Sequence, residues 1–583
     1  MTDHSGAERT GAVADARAAS PAADAPGPAP QYDTIVAGAG IAGLTVAHEL
    51  AGRGYRVLVL EATDRVGGTA AALELDGLRL DAGAESFAVR GGAVAELLGE
   101  LGLADDIVDP NPAGAWLQLE DRAVPLPKRT LLGIPSTPLA QDVIDALGWG
   151  GALRAYLDRL MPVLRIGKDD ALGPLVRRRM GQKVLDRLVA PLAGGVYSAD
   201  PELLDIAVVA PGLNNGITRT GSLSGGVAFV LEERAAAGAA GADAKPGSAV
   251  QGVRGGIHRL VDALAERARE HRAEIRTGVR VAAIAPTDTG WSVETDAGAL
   301  AASSVVVALP EPEARRLLLP LASTPPVEER APEALASTPP VEERAMEALA
   351  STPPVEERAP EALASRDHTV DPGATVELVT LVLPAGAVSG DPRGTGVLVA
   401  ADATGIRAKA MTHATAKWPW LREAAAGREI VRLSYGSAGG AAPATEGLDD
   451  EAAAALALED AQAIFGTALP QPVATARVRW QQGQPSSVLG ARDRQQQLRD
   501  AAAAHDGLVV VGAAVAGTGL AQVVPDARRA ALEIRRERFA VRGTPWTDDL
   551  EHDSGTDLEA DGASATGRRD ASAPTDDAAR GDA

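Results

Sequence analysis

Short runs of β-branched and aliphatic residues punctuate this chain, and between them apolar residues recur every three or four positions. The runs Thr34–Ala37, Arg56–Leu60, Ser304–Ala308 and Leu508–Val511 predict buried strands. Ile41–Leu50, Val94–Leu101, Ile257–His271 and Glu451–Phe465 carry the helical period. This alternation predicts an α/β fold of mixed α+β character. Ala235–Val250 reads as an Ala/Gly/Pro loop. In Leu153–Arg165, Leu153, Leu157 and Leu160 alternate with Arg154, Arg159 and Arg165. A core-facing helix is expected there, and a helix lying on a membrane surface is the alternative.

Three segments break the pattern. Residues 1–31 end in a Pro/Ala-rich stretch, and residues 544–583 are acidic with few apolar side chains. Neither can bury enough surface to fold, so both are expected to be disordered tails. Ser323–Ala336, Ser337–Ala350 and Ser351–Ala364 are copies of one 14-residue unit, differing only at Pro332, Met346 and Pro360. Near-identity points to a recent tandem duplication and a tolerated surface insertion rather than a binding array.

Composition narrows the function. The chain has 583 residues, 56 Lys+Arg against 79 Asp+Glu, and a formal net charge of −23. That balance argues against nucleic acid as a partner, because phosphate recognition needs a basic surface. No apolar run reaches the roughly 18 to 20 residues of a membrane-spanning helix. The first 31 residues hold no apolar core of a secretory signal, and a cytoplasmic location is expected. The absence of cysteine excludes disulfides, thiolate catalysis and a cysteinyl-flavin link. The eight histidines form no ligand-spaced cluster, so no metal is expected.

One motif carries cofactor chemistry. The strand Thr34–Ala37 runs into Gly38-Ala39-Gly40-Ile41-Ala42-Gly43, a helix follows, and a second strand ends at Glu61. Gly38 permits the tight turn, Gly40 lets the backbone approach a pyrophosphate, and Gly43 allows close packing of helix on strand. The helix N-terminus offers free N–H groups to the phosphates, and Glu61 can accept hydrogen bonds from ribose hydroxyls. This motif alone does not separate NAD from FAD.

The residues that follow resemble a family. Glu61-Ala62-Thr63-Asp64-Arg65-Val66-Gly67-Gly68-Thr69 is similar to the Glu…Arg-x-Gly-Gly segment of the FAD-dependent amine oxidase-like superfamily. Near the far end, Leu508–Val511 leads into Gly512–Leu520 and then a helix containing Ala527–Ile534. Such a loop can place N–H groups at a flavin's pyrimidine edge. Within the superfamily the chain resembles the bacterial porphyrinogen oxidases. The resemblance rests on Asp81–Phe87, with Ala84 where the family has Pro, and on Arg177–Gly181 followed by Leu188–Asp200. It rests also on Gly255-Gly256-Ile257 with Leu260-Val261, on Lys417-Trp418-Pro419, on Arg432–Gly436 and on Arg479-Trp480. It spans Tyr32 to Arg542 apart from the repeat.

The resemblance implies a Rossmann-like FAD-binding domain built from residues 32–110, 249–310 and 475–543. It implies an inserted helical domain (111–217) and a substrate-binding domain (218–248 and 311–474, containing the repeat 323–364). It implies non-covalent FAD held by Gly38, Ala39, Gly40, Ile41, Ala42, Gly43, Glu61, Arg65, Gly68, Thr69, Gly83, Ala84, Glu85, Ser86, Val281, Trp480, Ala513, Thr518, Gly519 and Leu520. Val281 would meet the adenine through its backbone, an ordinary strand valine being the alternative, and Trp480 can equally be core packing. The implied reaction is oxygen-dependent, six-electron oxidation of coproporphyrinogen III to coproporphyrin III in heme biosynthesis. Protoporphyrinogen IX oxidation, another flavoenzyme of the superfamily and a non-catalytic flavin or porphyrin binder are the alternatives. An amine oxidase's aromatic cage is poorly served by four Phe and five Tyr. The flavin performs the hard step, so no catalytic acid–base pair is assigned. The substrate's propionates need cationic partners. Arg90, Lys128 with Arg129, and Lys417 are the candidates, with solvated surface cations as the alternative reading. Arg177-Arg178-Arg179 is read as a helix surface. Peripheral contact with the inner face of the cell membrane and hand-over of product to a ferrochelatase are further expectations.

Overall fold

The computed structural model describes residues 30–161, 171–197, 199–236, 250–322, 375–436, 442–481 and 487–542. The N-terminal tail, the repeat, most of the Ala235–Val250 loop, Arg165 and the acidic tail lie outside these residues. Met1–Glu537 forms one compact unit, which holds every site discussed below. The second unit, Arg538–Ala583, is described only over residues 538–542, which are helical.

All four predicted strands fall in one seven-stranded sheet. Its order is Glu274–Arg276, Val57–Leu60, Tyr32–Ala37, Gly298–Val307, Gly290–Thr295 and Val281–Thr287, and Leu508–Val510 pairs with the end of Gly298–Val307. The pairs formed by Tyr32–Ala37 with Val57–Leu60 and with Gly298–Val307 are parallel, as is that of Gly298–Val307 with Leu508–Val510. The apolar runs are continuous because both faces are covered. Val36, Val57, Val59 and Val306 pack among helices Ile41–Ala51, Ala93–Glu100 and His258–Glu270. Ile35, Leu58, Leu60, Val305 and Val307 join Trp291 and helices Glu311–Ala322 and Ala491–Ala503 on the other face.

A second seven-stranded sheet runs Ala474–Gln481, Thr375–Leu383, Glu429–Tyr435, Ala410–His413, Gly396–Val399, Ala115–Gln118 and Ala123–Pro125. Val379, Leu381, Val431, Leu433 and Tyr435 point to the face covered by helix Asp450–Phe465. Alternate residues, Arg432 among them, point to the opposite face.

The structure draws three borders differently from the sequence expectation. Ala115–Gln118 and Ala123–Pro125, assigned to the helical segment 111–217, form an edge of the second sheet. Ala474–Gln481 also belongs to this sheet, and the return to the first sheet comes only with Leu508–Val510. Helix Leu223–Ala236, assigned with the substrate domain, buries Leu223, Val227 and Val230 in the helical core beside Leu213 and Ile217. In each case apolar side chains found their burial in a layer that sequence order does not reveal.

The helical layer corrects two further readings. Arg177–Arg179 ends helix Leu172–Met180, yet it is not a uniform surface. Arg177 pairs with Glu202, while Arg179 is buried with its Nε 2.5 Å from Asp158 Oδ1. Asp158 also accepts the backbone N–H groups of Leu223 and Ser224, at 3.0 and 2.8 Å. This carboxylate therefore ties two helices together at one buried point, with its charge neutralised by Arg179. The second correction concerns Leu153–Arg165. Leu153 and Leu160 are 55% and 75% exposed, and Trp149 is 71% exposed, so these large side chains do not turn to the core, although Ala155 between them does. Among the described residues no helix is long and apolar enough to cross a membrane.

Candidate flavin site

The three central parallel strands end together at Ala37, Val307 and Val510, and a loop leaves each end. A crevice at the carboxyl ends of parallel strands is the general place for a nucleotide in such sheets. Gly38 has φ +104° there, and a Cβ on it would lie 2.4 Å from the carbonyl oxygen of Ala308. A Cβ on Gly43 would lie 2.0 Å from the carbonyl oxygen of Gly38. These two glycines are required by packing within the chain alone. Gly40 differs, since a Cβ there would meet nothing within 4 Å. Helix Ile41–Ala51 starts at Gly40 without any side-chain cap, so its first N–H groups face this free space.

Contacts link the remaining predicted residues to this loop. The Gly67 N–H donates to the Ala39 carbonyl at 2.8 Å, which lays Gly68 and Thr69 beside Gly40. The Ala84 N–H donates to the Thr69 carbonyl at 2.9 Å, and a Cβ on Gly83 would stand 2.3 Å from that same oxygen. At the same carboxyl end of the sheet, a Cβ on Gly512 would lie 3.0 Å from the Ala42 Cβ. The loop from Gly512 to Leu520 thus returns to the first helix, with Ala513, Thr518 and Gly519 exposed. Its fold is held by Asp526, which accepts the Gly512 N–H at 3.1 Å and pairs with Arg499 at 2.9 Å.

Glu61 is tied down more firmly than a free ribose acceptor. Its carboxylate accepts the Ala39 N–H at 2.9 Å and, from Thr63, the N–H at 2.9 Å and the hydroxyl at 2.8 Å. The Val279 N–H donates to the Glu61 carbonyl at 2.8 Å, which brings Val281 close by. The Val281 carbonyl is already engaged by Arg316 at 2.9 Å. Arg65 is exposed beside this corner.

Glu85 and Ser86 lead to the second sheet. Glu85 is largely enclosed and stands between Lys417 Nζ, at 2.6 Å, and Arg432 Nη1, at 2.9 Å. Burial pushes its pKa up, but Lys417 and Arg432 outweigh that and hold the carboxyl below the ordinary carboxylate range. Arg432 also donates to the Gly83 carbonyl at 2.9 Å. Trp480 reaches the same place from the neighbouring strand, with its Nε1 3.3 Å from where a Gly83 Cβ would be. That indole N–H is buried without a partner among the described residues.

The three substrate candidates separate. Lys417 is committed to Glu85, which places it against the Gly83–Ser86 segment rather than free for a propionate. Arg90 is exposed in the loop before helix Ala93–Glu100, and Lys128 and Arg129 are exposed on the helical side. The ion pairs of Glu85 are with Lys417 and Arg432, and not with Arg90, Lys128 or Arg129. Arg432 is the residue that sequence reading passed over as a site residue. Its signal was present, because one Arg interrupts the apolar run Ile430-Val431-Arg432-Leu433 in a buried strand.

The surface so assembled fits a dinucleotide flavin. It offers an uncapped helix end for phosphates, a glycine with open space before it and an unpartnered indole donor at the opposite end. The flavin-containing amine oxidoreductase family model matches residues 41–346 and 398–535. The chain is 29% identical over 506 residues to a coproporphyrinogen III oxidase of Mycobacterium tuberculosis, covering 86% of this chain and 96% of that one. Against the coproporphyrinogen III oxidase of Bacillus subtilis it is 25% identical over 506 residues, covering 85% and 96%. A crystal structure from Exiguobacterium, provisionally named protoporphyrinogen oxidase, superposes with a TM-score of 0.67 at 23% identity, covering 87% of this chain and all of that one. Putrescine oxidase superposes with a TM-score of 0.55 at 16% identity over 87% of this chain, a likeness of fold. The chain is a flavin-dependent oxidoreductase that belongs to the flavin-containing amine oxidoreductase family.

Proposed function

We propose that this enzyme is an FAD-dependent coproporphyrinogen III oxidase. The observation that carries the reading is the end-to-end similarity to coproporphyrinogen III oxidases, which reaches 92% to 98% of the length of several of them. The reaction removes six electrons and six protons from the porphyrinogen, and three molecules of dioxygen become three of hydrogen peroxide. Bound flavin supplies the hydride-accepting chemistry.

The chain's own residues bind and orient. Gly38 to Gly43 offer backbone N–H groups to the pyrophosphate, and Glu61, Arg65 and Val281 flank the adenosine half. Gly68, Thr69, Gly83 to Ser86, Trp480, Ala513 and Thr518 to Leu520 would hold the ring system. We take the binding as non-covalent; the chain holds no cysteine, which removes a cysteinyl thioether link. Lys417 and Arg432 position Glu85 and the Gly83 carbonyl, while Arg90 and Lys128 remain the candidates for substrate propionates.

The test is porphyrin fluorescence developing in air from coproporphyrinogen III, with protoporphyrinogen IX and an enzyme-free blank in parallel. Faster oxidation of coproporphyrinogen is expected. Preference for protoporphyrinogen IX would move the substrate assignment. No acceleration of either by flavin-loaded protein would end the porphyrinogen reading.

The helical layer supports a cytoplasmic enzyme resting on the inner face of the membrane. Trp149, Leu153, Leu157 and Leu160 recur at helical spacing and are 71%, 55%, 42% and 75% exposed. An exposed apolar stripe of this kind matches a lipid surface. The protein should co-sediment with phospholipid vesicles, and the double variant Trp149→Ser, Leu160→Ser should lose most of the bound fraction. Equal sedimentation of both proteins would refute the contact. Metal-free coproporphyrin released there would be a substrate for a ferrochelatase.

A further inference from the structure

A cleft of about 860 Å³ opens between Leu78, Arg79, Leu103, Arg254 and Trp420. Two of its arginines are paired, Arg79 with Asp262 at 2.6 Å and Arg259 with Asp106 at 2.8 Å. Behind it lies a cavity of about 20 Å³. Trp420 and Leu421 line both spaces, so the two adjoin at these side chains. The cavity's other walls are Leu80, Asp81, Ala414, Trp418 and Ile430, and Glu85 and Arg432 also line it. These two are the residues that border the flavin segment at Gly83.

We infer that this cavity is the passage by which dioxygen reaches the flavin from the outer cleft and hydrogen peroxide leaves. The inference rests on the oxidase reading above. Size selects the occupant, because one water-sized molecule needs roughly 10–15 Å³ whereas organic ligands occupy about 300–1,000 Å³. A porphyrinogen therefore cannot use this route and must enter elsewhere, so the two substrates do not compete for one mouth. The lining suits a traffic of two chemistries. Aliphatic and indole side chains make up most of the wall and favour apolar dioxygen over water, while the Asp81 carboxylate is engaged by the His258 N–H at 3.0 Å. Trp420 Nε1 and Arg432 Nε, each buried without a partner among the described residues, can donate to the outgoing peroxide. Each passage is balanced, since one dioxygen takes two electrons and two protons from the reduced cofactor and leaves as one hydrogen peroxide.

Leu421 is the residue to vary, because it lies in the wall and outside the flavin contacts. Leu421→Phe narrows the passage and Leu421→Ala widens it. The holoenzyme's flavin is reduced by light without air, with EDTA as the electron donor, so no porphyrinogen is needed, and then mixed rapidly with dioxygen. Leu421→Phe should slow reoxidation on the order of tenfold, while Leu421→Ala should be at least as fast as the parent. In flavin-free protein, oxygen quenching of tryptophan phosphorescence should fall in Leu421→Phe and rise in Leu421→Ala. Reoxidation within about twofold of the parent in Leu421→Phe, with unchanged quenching, would overturn the passage. Anaerobic reduction by coproporphyrinogen III is read separately. Its absence would sink the substrate reading and leave the passage standing.

Discussion

Glu85→Ala should give a protein that folds poorly and carries little flavin. Glu85 stands 2.6 Å from Lys417 Nζ and 2.9 Å from Arg432 Nη1, and both cations are mostly enclosed. Removing the carboxylate leaves two neighbouring positive charges without their shared partner. Breaking a buried pair in this way costs roughly 3–5 kcal/mol. Repulsion between the two cations would also draw Arg432 away from the Gly83 carbonyl, which shapes the flavin segment. Denaturant unfolding and the visible flavin spectrum read the two effects. Acid dependence provides a second check. The folded carboxyl sits below the ordinary value of 4.5, so its ionised form stabilises the fold at pH values above that. The contribution is lost as pH falls from about 4.5 through the lowered folded value. Glu85→Gln should lack this part of the acid destabilisation. If the variant's stability fell as steeply as the parent's over that range, the ion pairs would carry no net stability.

Gly43→Ala should come second in severity, and Gly40→Ala is its counterpart. The new Cβ at position 43 would lie 2.0 Å from the Gly38 carbonyl oxygen and 3.1 Å from Val36 Cγ1. Neither the backbone oxygen nor a fully buried strand can move away freely. Overpacking of this kind costs about 1–3 kcal/mol and here shifts the phosphate-facing turn itself. Flavin content and thermal stability should therefore both drop. At Gly40 the backbone has φ −74°, which any residue adopts, and the Cβ meets no protein atom. Gly40→Ala should unfold like the parent when flavin-free, yet bind flavin more weakly because the methyl enters the cofactor's space. Undiminished flavin affinity in Gly40→Ala would mean that the cofactor does not approach this turn.

Much of the architecture was legible before any coordinates. The four strand runs and four helical segments read from pattern correspond to strands and helices of the structure, with ends shifted by a residue or a few. Longer strands such as Gly298–Val307 were seen only in part, because Gly298–Ser303 is half exposed and carries mostly small residues. The glycine roles were also legible, since φ restrictions and Cβ clashes are local consequences of residue type. Arg179 and Leu153 were misread for the opposite reason. Whether an arginine finds a buried carboxylate at Asp158, or a leucine stays uncovered, depends on a partner distant in sequence. The role of Lys417 changed likewise, because Glu85 lies 332 residues away.

By itself the sequence determined the alternation of elements, the dinucleotide turn and the family, because each rests on local stereochemistry or on motifs of contiguous residues. Tertiary structure alone decided which sheet receives Ala474–Gln481, which cations share Glu85 and which apolar side chains stay exposed. It also placed the narrow cavity behind Trp420. These features arise where separate segments meet, and the energy of such a meeting belongs to the packed pair rather than to either segment.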